Sequence, residues 1–154
     1  MTICTHRRVH LFKTPPFHDL AMNMLLRVPT LNHAQHVRLD EWVVMPNHIH
    51  VILEFHSYPS QVGQTVDPEI SLQNALAGSL GVIVSRYKSS VTTRINKLRR
   101  SIGGKVWHRG YYERIIRNER HLNATRQYIK NNPLRWNEDR ENLNHLLSKM
   151  THHA

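Results

Sequence analysis

The composition is that of a small basic chain: 154 residues, 40% of them hydrophobic, with 21 Lys or Arg against 11 Asp or Glu and a formal net charge of +10. These values predict one soluble domain and favour a polyanionic partner, nucleic acid before an anionic membrane surface, over a charge that only solubilises the protein. The single cysteine excludes a disulfide framework and a cysteine-based zinc cluster, and no apolar run approaches the roughly 20 residues of a membrane-spanning helix.

The first half of the chain carries strand and helix patterns in turn. Thr2–Phe12 is rich in β-branched residues and predicts a first strand. Apolar residues then recur at helical spacing over Phe17–Val28, and a proline follows. Val37–Met45 and His48–Phe55 have the character of two strands, and the Pro46-Asn47 turn sequence between them predicts a hairpin.

The second half begins with a change of composition. Residues 57–79 are rich in Ser, Gln, Pro and Gly without a clear period, which predicts an irregular surface loop. Apolar residues step by four and three over Leu80–Leu98, a pattern typical of an amphipathic helix with a basic outer face. Val106–Ile116 predicts a fourth strand or strand pair, and Asn118 is a good N-cap for a last helix that runs to about Asn132.

The predicted order is strand, helix, strand, strand, helix, strand, helix. It is typical of an α+β sandwich of ferredoxin-like type, in which helices cover an antiparallel sheet. We therefore expect a single domain over residues 1–136, followed by a polar C-terminal tail over residues 137–154.

Two histidines one residue apart mark the third strand. Residues i and i+2 of a strand point to the same face, so His48 and His50 lie side by side while Ile49 and Val51 face the opposite way. Two neutral imidazoles on one rigid face can form half of a divalent-metal site. A purely structural role, or a different kind of metal site, is the common alternative for such a pair.

Tyr128 and Asn132 lie four residues apart on the last predicted helix and therefore share a face. A tyrosine hydroxyl can act as a nucleophile, and an asparagine amide oxygen can complete a site with two imidazoles. Such a site suits Mg²⁺ or Mn²⁺ and phosphate chemistry, without fixing which metal it holds. Taken singly, a helical tyrosine is usually a packing residue, and an asparagine before proline usually ends a helix.

In combination these segments are recognisable. Trp42–Leu53 (WVVMPNHIHVIL) resembles the His-hydrophobic-His signature of the single-tyrosine HUH transposases. Tyr128–Trp136 (YIKNNPLRW) is similar to their nucleophile helix in its form among the REP-associated tyrosine transposases. The opening Thr2–Arg7, the block Leu80–Asn96 and the block Val106–Arg117 agree in the same order. The resemblance thus covers nearly all of residues 2–136.

The resemblance implies a fold of HUH endonuclease or transposase type and a metal-dependent enzyme that cleaves and rejoins single-stranded hairpin DNA. Tyr128 would be the catalytic nucleophile that forms a 5′-phosphotyrosine and releases a 3′-OH. His48, His50 and Asn132 would be the ligands of Mg²⁺ or Mn²⁺. We expect a monomer or a homodimer, located in the cytoplasm, associated with the nucleoid when bound to DNA, and without a membrane partner.

Basic and aromatic residues of the second half are candidates for contacts with DNA. Cations would bind phosphates and an exposed aromatic ring would stack on an unpaired base. The ordinary alternatives are a solvated charged face and core packing. The candidates are Arg86, Lys88, Arg94, Lys97, Trp107 and Arg109.

Three other functions compete with this hypothesis. A chain with the same fold can bind repetitive DNA hairpins without transposing them, although all the proposed catalytic residues are present. The histidine-triad nucleotide hydrolases also carry alternating histidines on a strand, but Ile52 stands where their third histidine would be. A non-catalytic metal-binding module is the remaining alternative.

Overall fold

The computed structural model describes residues 1–56 and 78–136. The predicted tail over residues 137–154 and most of the loop predicted over residues 57–79 lie outside them. The strands and α-helices are β1 (Thr2–Cys4), α1 (Pro15–Leu26), β2 (Val37–Met45), β3 (His48–Phe55), α2 (Leu80–Leu98) and α3 (Glu119–Asn131). Three single-turn 3-10 helices lie at His6–Arg8, Leu11–Lys13 and Val28–Thr30.

The sheet is antiparallel with the order β1-β3-β2, so the histidine strand β3 lies at its centre. The predicted hairpin of β2 and β3 is confirmed, with Met45 opposite His48 across the turn. On the other side, β1 pairs Cys4 with His48 and Thr2 with His50. Because β3 has neighbours on both sides, the positions of its two histidines are determined by two strands at once.

The predicted fourth strand, Val106–Ile116, is present only as two isolated bridges beside β1, Thr5 with Trp107 and Thr2 with Tyr112. The two bridged residues are three positions apart in the first segment (Thr2 and Thr5) and five positions apart in the second (Trp107 and Tyr112), so the second segment bulges between the bridges. Gly110 lies in this bulge with a φ of 76°, a left-handed conformation that glycine adopts readily.

The predicted first strand was too long: β1 ends at Cys4 rather than continuing to Phe12. Thr5 turns the chain, because its N–H donates to Asn47 O (2.8 Å) and its hydroxyl lies 2.8 Å from Val9 O. The chain returns to the hairpin turn where the N–H of Phe12 donates to Pro46 O (2.9 Å). The β-branched residues of this segment favour a longer strand, but these tertiary hydrogen bonds end the strand at Cys4.

The core lies between one face of the sheet and the helices α1 and α2. Ile49 and Val51 of β3 are fully buried there, and the Tyr87 hydroxyl donates to Ala21 O across the two helices (2.9 Å). The last helix, α3, lies on the opposite face, where the ring of its Tyr128 contacts His50. The α+β prediction with an antiparallel, ferredoxin-like sheet and helices on it is confirmed.

None of the helices in residues 1–56 and 78–136 combines the length and the apolar character that crossing a membrane requires.

The predicted N-cap of the last helix is confirmed, since Asn118 Oδ1 accepts from the N–H of His121 (2.9 Å). We expect Asn118→Ala to lower the free energy of unfolding by about 1 kcal/mol, because this N–H loses its partner. Urea unfolding followed by circular dichroism measures the change. Gln127→Ala, an exposed substitution within the same helix, is the matched control. Equal loss in both variants would contradict the role of the cap.

Candidate metal and nucleophile site

His48 and His50 form a closely packed pair on the central strand. Their Nε2 atoms lie 3.0 Å apart and their ring centroids 4.4 Å apart. His48 is fully buried, and only 7% of the surface of His50 is exposed to solvent. The alternation of side chains along β3 therefore brings two imidazole nitrogens to one point, as the spacing predicted.

The other nitrogen of each ring is held by a neighbouring side chain. His48 Nδ1–H donates to Asn47 Oδ1 (2.8 Å), which leaves the lone pair of His48 on Nε2. His50 Nδ1 lies 2.8 Å from the hydroxyl of Thr2, a group that can either donate or accept. The 3.0 Å contact between the two Nε2 atoms is a hydrogen bond, so the N–H of His50 Nε2 donates to His48 and His50 Nδ1 accepts from the Thr2 hydroxyl. If the Thr2 hydroxyl accepts instead, both Nε2 lone pairs face the same point, as two ligands of one cation would require. Such partners orient imidazole ligands in metal sites.

Burial keeps both imidazoles in the form that binds metals. Desolvation lowers the pKa of His48 to about 3, with smaller contributions from His50 and from the positive charge of Arg8. Desolvation also lowers the pKa of His50 to about 4. Both rings are therefore neutral at physiological pH, and a neutral ring nitrogen is the ligand form.

Asn132 contributes the third candidate ligand atom. The residue is 4% exposed, and its Oδ1 is buried without a hydrogen-bond partner among residues 1–56 and 78–136. In the sequence it lies between Tyr128, whose ring centroid is 5.3 Å from that of His50, and Trp136, whose ring centroid is 6.0 Å from that of His48. A buried amide oxygen without a partner is unfavourable, and a cation is one group that would satisfy it.

The candidate donors are two imidazole nitrogens and one neutral amide oxygen. Within the described ranges, no three His, Cys, Asp or Glu side chains are grouped as ligands. Three donors of this kind would leave coordination positions for phosphate oxygens or water on Mg²⁺ or Mn²⁺, and the donors alone do not select one metal.

Tyr128 lies at the mouth of this site. Its ring contacts His50 edge to face, with centroids 5.3 Å apart, and 53% of the residue is exposed. A core tyrosine would be covered, as Tyr87 is. The predicted nucleophile is thus both next to the candidate metal ligands and open to a large substrate, within a single chain.

Two acidic residues of β2 hold helix α3 in this position. The Asp40 carboxylate accepts three hydrogen bonds from Arg126, at 3.0, 3.0 and 2.7 Å, and Glu41 forms an ion pair with Lys130 at 3.3 Å. Neighbouring residues of a regular strand point to opposite faces. A β-bulge between Leu39 and Trp42 removes that alternation, so that both carboxylates reach one helix.

The predicted DNA contacts fall into two groups. Arg86, Arg94, Lys97 and Arg109 are exposed, with Arg86 3.3 Å from His33. Lys88 and Trp107 have structural contacts instead. Lys88 Nζ donates to the carbonyls of His108 and Gly110, at 2.8 and 2.9 Å. Trp107 is 9% exposed and packs against Phe12 and Tyr87. Its ring is covered, so the base-stacking role expected of it does not fit its position.

Sequence reasoning missed the residues that support the site. The sequence predicted a turn at Asn47 and a first strand at Thr2, yet each of these side chains holds one of the two imidazoles. Asp40 and Arg126 are 86 positions apart in sequence, and nothing local pairs them. Trp136 was noted only as the end of a motif. Its aromatic character beside a predicted site was the one available signal.

No protein-family model matches the chain. An uncharacterized protein of Haemophilus influenzae is 39% identical to it over 110 residues, which are 67% of this chain and 58% of that relative. A solved structure, described as a REP-associated tyrosine transposase bound to a REP hairpin, matches with a TM-score of 0.60 and 17% identity. The match covers 87% of this chain and 64% of that one. The present chain therefore shares that fold and spans less than two thirds of either protein.

The Asp40–Arg126 pair is partly buried, with 18% and 32% of the two side chains exposed. We expect Asp40→Asn and Arg126→Met each to reduce stability, and the double variant to lose less than the sum of the two. A coupling energy of about 1–2 kcal/mol is expected from urea unfolding of the four proteins in a double-mutant cycle. The exposed Arg38–Glu54 pair, at 3.5 Å, is the control, with coupling below about 0.5 kcal/mol. Strict additivity at Asp40 and Arg126 would show that they do not hold the helix.

Proposed function

We propose that this protein cleaves and rejoins hairpin-flanked single-stranded DNA through a covalent 5′-phosphotyrosine at Tyr128, with Mg²⁺ or Mn²⁺ bound by His48, His50 and Asn132. The observation that carries the proposal is the arrangement of three side chains from two distant segments, the strand β3 and the helix α3. The exposed Tyr128 ring contacts His50, whose Nε2 is 3.0 Å from that of His48. The fold shared with a REP-associated tyrosine transposase supports the same function.

The two histidines and Asn132 would hold the cation with neutral donors only. The cation, when bound, supplies Lewis-acid polarisation of the scissile phosphodiester. Asn47 and Thr2 orient the imidazoles through their Nδ1 atoms. Because no carboxylate takes part, the site keeps its full positive charge for an anionic substrate, which favours phosphate over neutral ligands.

Tyr128 would act as the nucleophile. Its hydroxyl oxygen forms a bond to phosphorus, the bond from phosphorus to the 3′ oxygen breaks, and the DNA is left with a free 3′-OH. Attack of another 3′-OH on the phosphotyrosine reverses the reaction and joins strands. Conserving the phosphoester energy in a covalent intermediate is what allows such an enzyme to rejoin DNA without a separate energy source.

A long anionic substrate also suits the rest of the molecule. The formal net charge is +10, and helix α2 exposes Arg86, Arg94 and Lys97. We assign these cations and Arg109 to contacts with DNA phosphates, which position the strand without reading its sequence.

The first test is covalent capture. Labelled hairpin DNA with single-stranded flanks, incubated with the protein and Mn²⁺ or Mg²⁺, is expected to yield a protein–DNA band on a denaturing gel. Tyr128→Phe abolishes the band because the attacking oxygen is gone, and His48→Ala abolishes it because one ligand is lost. Tyr112→Phe, which alters another exposed tyrosine, leaves it unchanged.

A broad set of hairpins that bind to the wild type without giving any covalent band would overturn the proposal. That result would favour the alternative from the sequence, a protein that binds repetitive DNA hairpins and does not transpose them. A band that persists in Tyr128→Phe would assign the nucleophile to another residue.

Metal affinity tests the third ligand separately from catalysis. Asn132→Ala is expected to weaken Mn²⁺ binding roughly tenfold or more, because the buried amide oxygen is removed, whereas Asn132→Asp retains an oxygen ligand and binds at least as tightly. Electron paramagnetic resonance of free Mn²⁺ measures both. Asn131→Ala, at the exposed neighbouring position, is the matched control. Unchanged affinity in Asn132→Ala would exclude this residue as a ligand.

A further inference from the structure

A cavity of about 630 Å³ lies beside the candidate site. Ile52 and Glu54 line it, and on β3 they continue the row of side chains to which His50 belongs. Leu122 and Arg126 also line it, and both belong to α3, the helix that carries the candidate nucleophile. Ile52 follows His50 by two residues, which is about 7 Å along a strand. The cavity therefore adjoins the site on the same face of the sheet, and a pocket of this volume can hold a small organic group.

The charges that line the cavity do not favour a phosphate. Four carboxylates face three arginines and the amino terminus of Met1, whose pKa is lowered by burial. Arg126 is bound to Asp40 at 2.7 Å, and Arg38 lies 3.5 Å from Glu54. The lining thus has no excess of positive charge with which to attract a phosphate, although the chain as a whole carries +10. A neutral group with hydrogen-bonding atoms suits this lining better.

The remaining lining suits a nucleobase. Ile52, Ile115 and Leu122 supply apolar surface, and Ile115 is 76% exposed, so it is available for contact. Glu113 and Arg114 also line the cavity and are exposed. Unlike the other two arginines of the lining, Arg114 is not paired with a carboxylate within residues 1–56 and 78–136. A base has apolar faces and a polar edge, and its edge accepts from a guanidinium or donates to a carboxylate.

We propose that this cavity binds one unpaired nucleobase of the DNA strand whose phosphodiester lies at Tyr128. Ile115 and Leu122 contact the faces of the base, and Glu113 and Arg114 contact its edge. The inference rests on the proposed function, since it needs a single strand at Tyr128, and it assigns a base-binding site to that function.

Such a site has a consequence for which bond is cleaved. Phosphate contacts hold a strand without reading its sequence, whereas a base in a fitted cavity fixes its register. Because the cavity adjoins His50 along β3, a base bound there determines which neighbouring phosphodiester reaches Tyr128. The cavity thus acts in the choice of the cleavage position rather than in the chemical step.

The experiment measures binding rather than cleavage. Tyr128→Phe is the background, so that no covalent adduct forms. Its affinity for hairpin DNA with single-stranded flanks is measured by fluorescence anisotropy, and each unpaired position is replaced in turn by an abasic site. The same DNA series is then measured for Arg114→Ala, Ile115→Ala and Arg117→Ala in that background. Circular dichroism melting of each variant checks its folding.

Arg117→Ala is the matched control. Arg117 is exposed and lies three residues from Arg114, but it does not line the cavity. Its removal changes the net charge by the same amount, so it reports the loss of a general attraction to phosphates.

We expect one unpaired position at which loss of the base weakens binding to the background protein about tenfold. Arg114→Ala and Ile115→Ala each weaken binding of the intact DNA at least about threefold. At that one abasic position, however, both variants bind as tightly as the background, because the contact they remove is already absent. Arg117→Ala weakens binding of the intact and abasic DNAs by the same factor.

The inference fails if folded Arg114→Ala and Ile115→Ala lose the same affinity for every DNA of the series, or none, because neither residue then contacts a base. That result leaves covalent capture by wild type untouched. Absence of an adduct with wild type would instead overturn the proposed cleavage, and the coupling would still assign the base-binding site. Failure to bind any of the hairpin DNAs would overturn both.

Discussion

The candidate site depends on how two imidazoles are kept neutral and oriented inside the protein. A buried ring nitrogen needs a partner, and the Nδ1 atoms of His48 and His50 are satisfied by Asn47 from the hairpin turn and Thr2 from β1. The strand alternation directs the remaining Nε2 atoms to one point. The pairing of β1 with β3 is therefore part of the site, because it is this register that places Thr2 opposite His50.

The second constraint is the attachment of helix α3 to the sheet. Its Ile129 is buried, and Arg126 binds the Asp40 carboxylate beside the β-bulge of β2. A bulge interrupts the regular ladder of the strand, and here it turns two adjacent carboxylates toward one helix. The same helix places the ring of Tyr128 against His50. Trp136, beyond the end of the helix at Asn131, places its ring against His48.

Asn47 connects His48 with the turn that follows β1. Its amide contacts both His48 and the backbone of that turn at Arg8, and its carbonyl receives the N–H of Thr5. Because these bonds are buried, loss of one leaves a polar group without a partner and disturbs the others. The orientation of the imidazole and the conformation of the turn are thus physically coupled.

Local patterns in the sequence determined most of the regular structure. Both strands of the hairpin and helix α2 begin and end where predicted, and Asn118 caps the last helix. Apolar periodicity and capping act over a few residues, so they can be read without the fold. Residue spacing is equally local. It predicts that His48 and His50 share one face of their strand, and that Tyr128 and Asn132 share one face of their helix.

Only the tertiary structure decided which of these faces meet and what supports them. It shortened the first strand through Thr5 and reduced the fourth to two bridges. It paired Asp40 with Arg126 across 86 positions of sequence, and it placed Trp107 in the core. These outcomes depend on hydrogen bonds, ion pairs and packing between segments distant in the chain. Such contacts leave no periodic signal along the sequence, because each partner is an ordinary residue in its own neighbourhood.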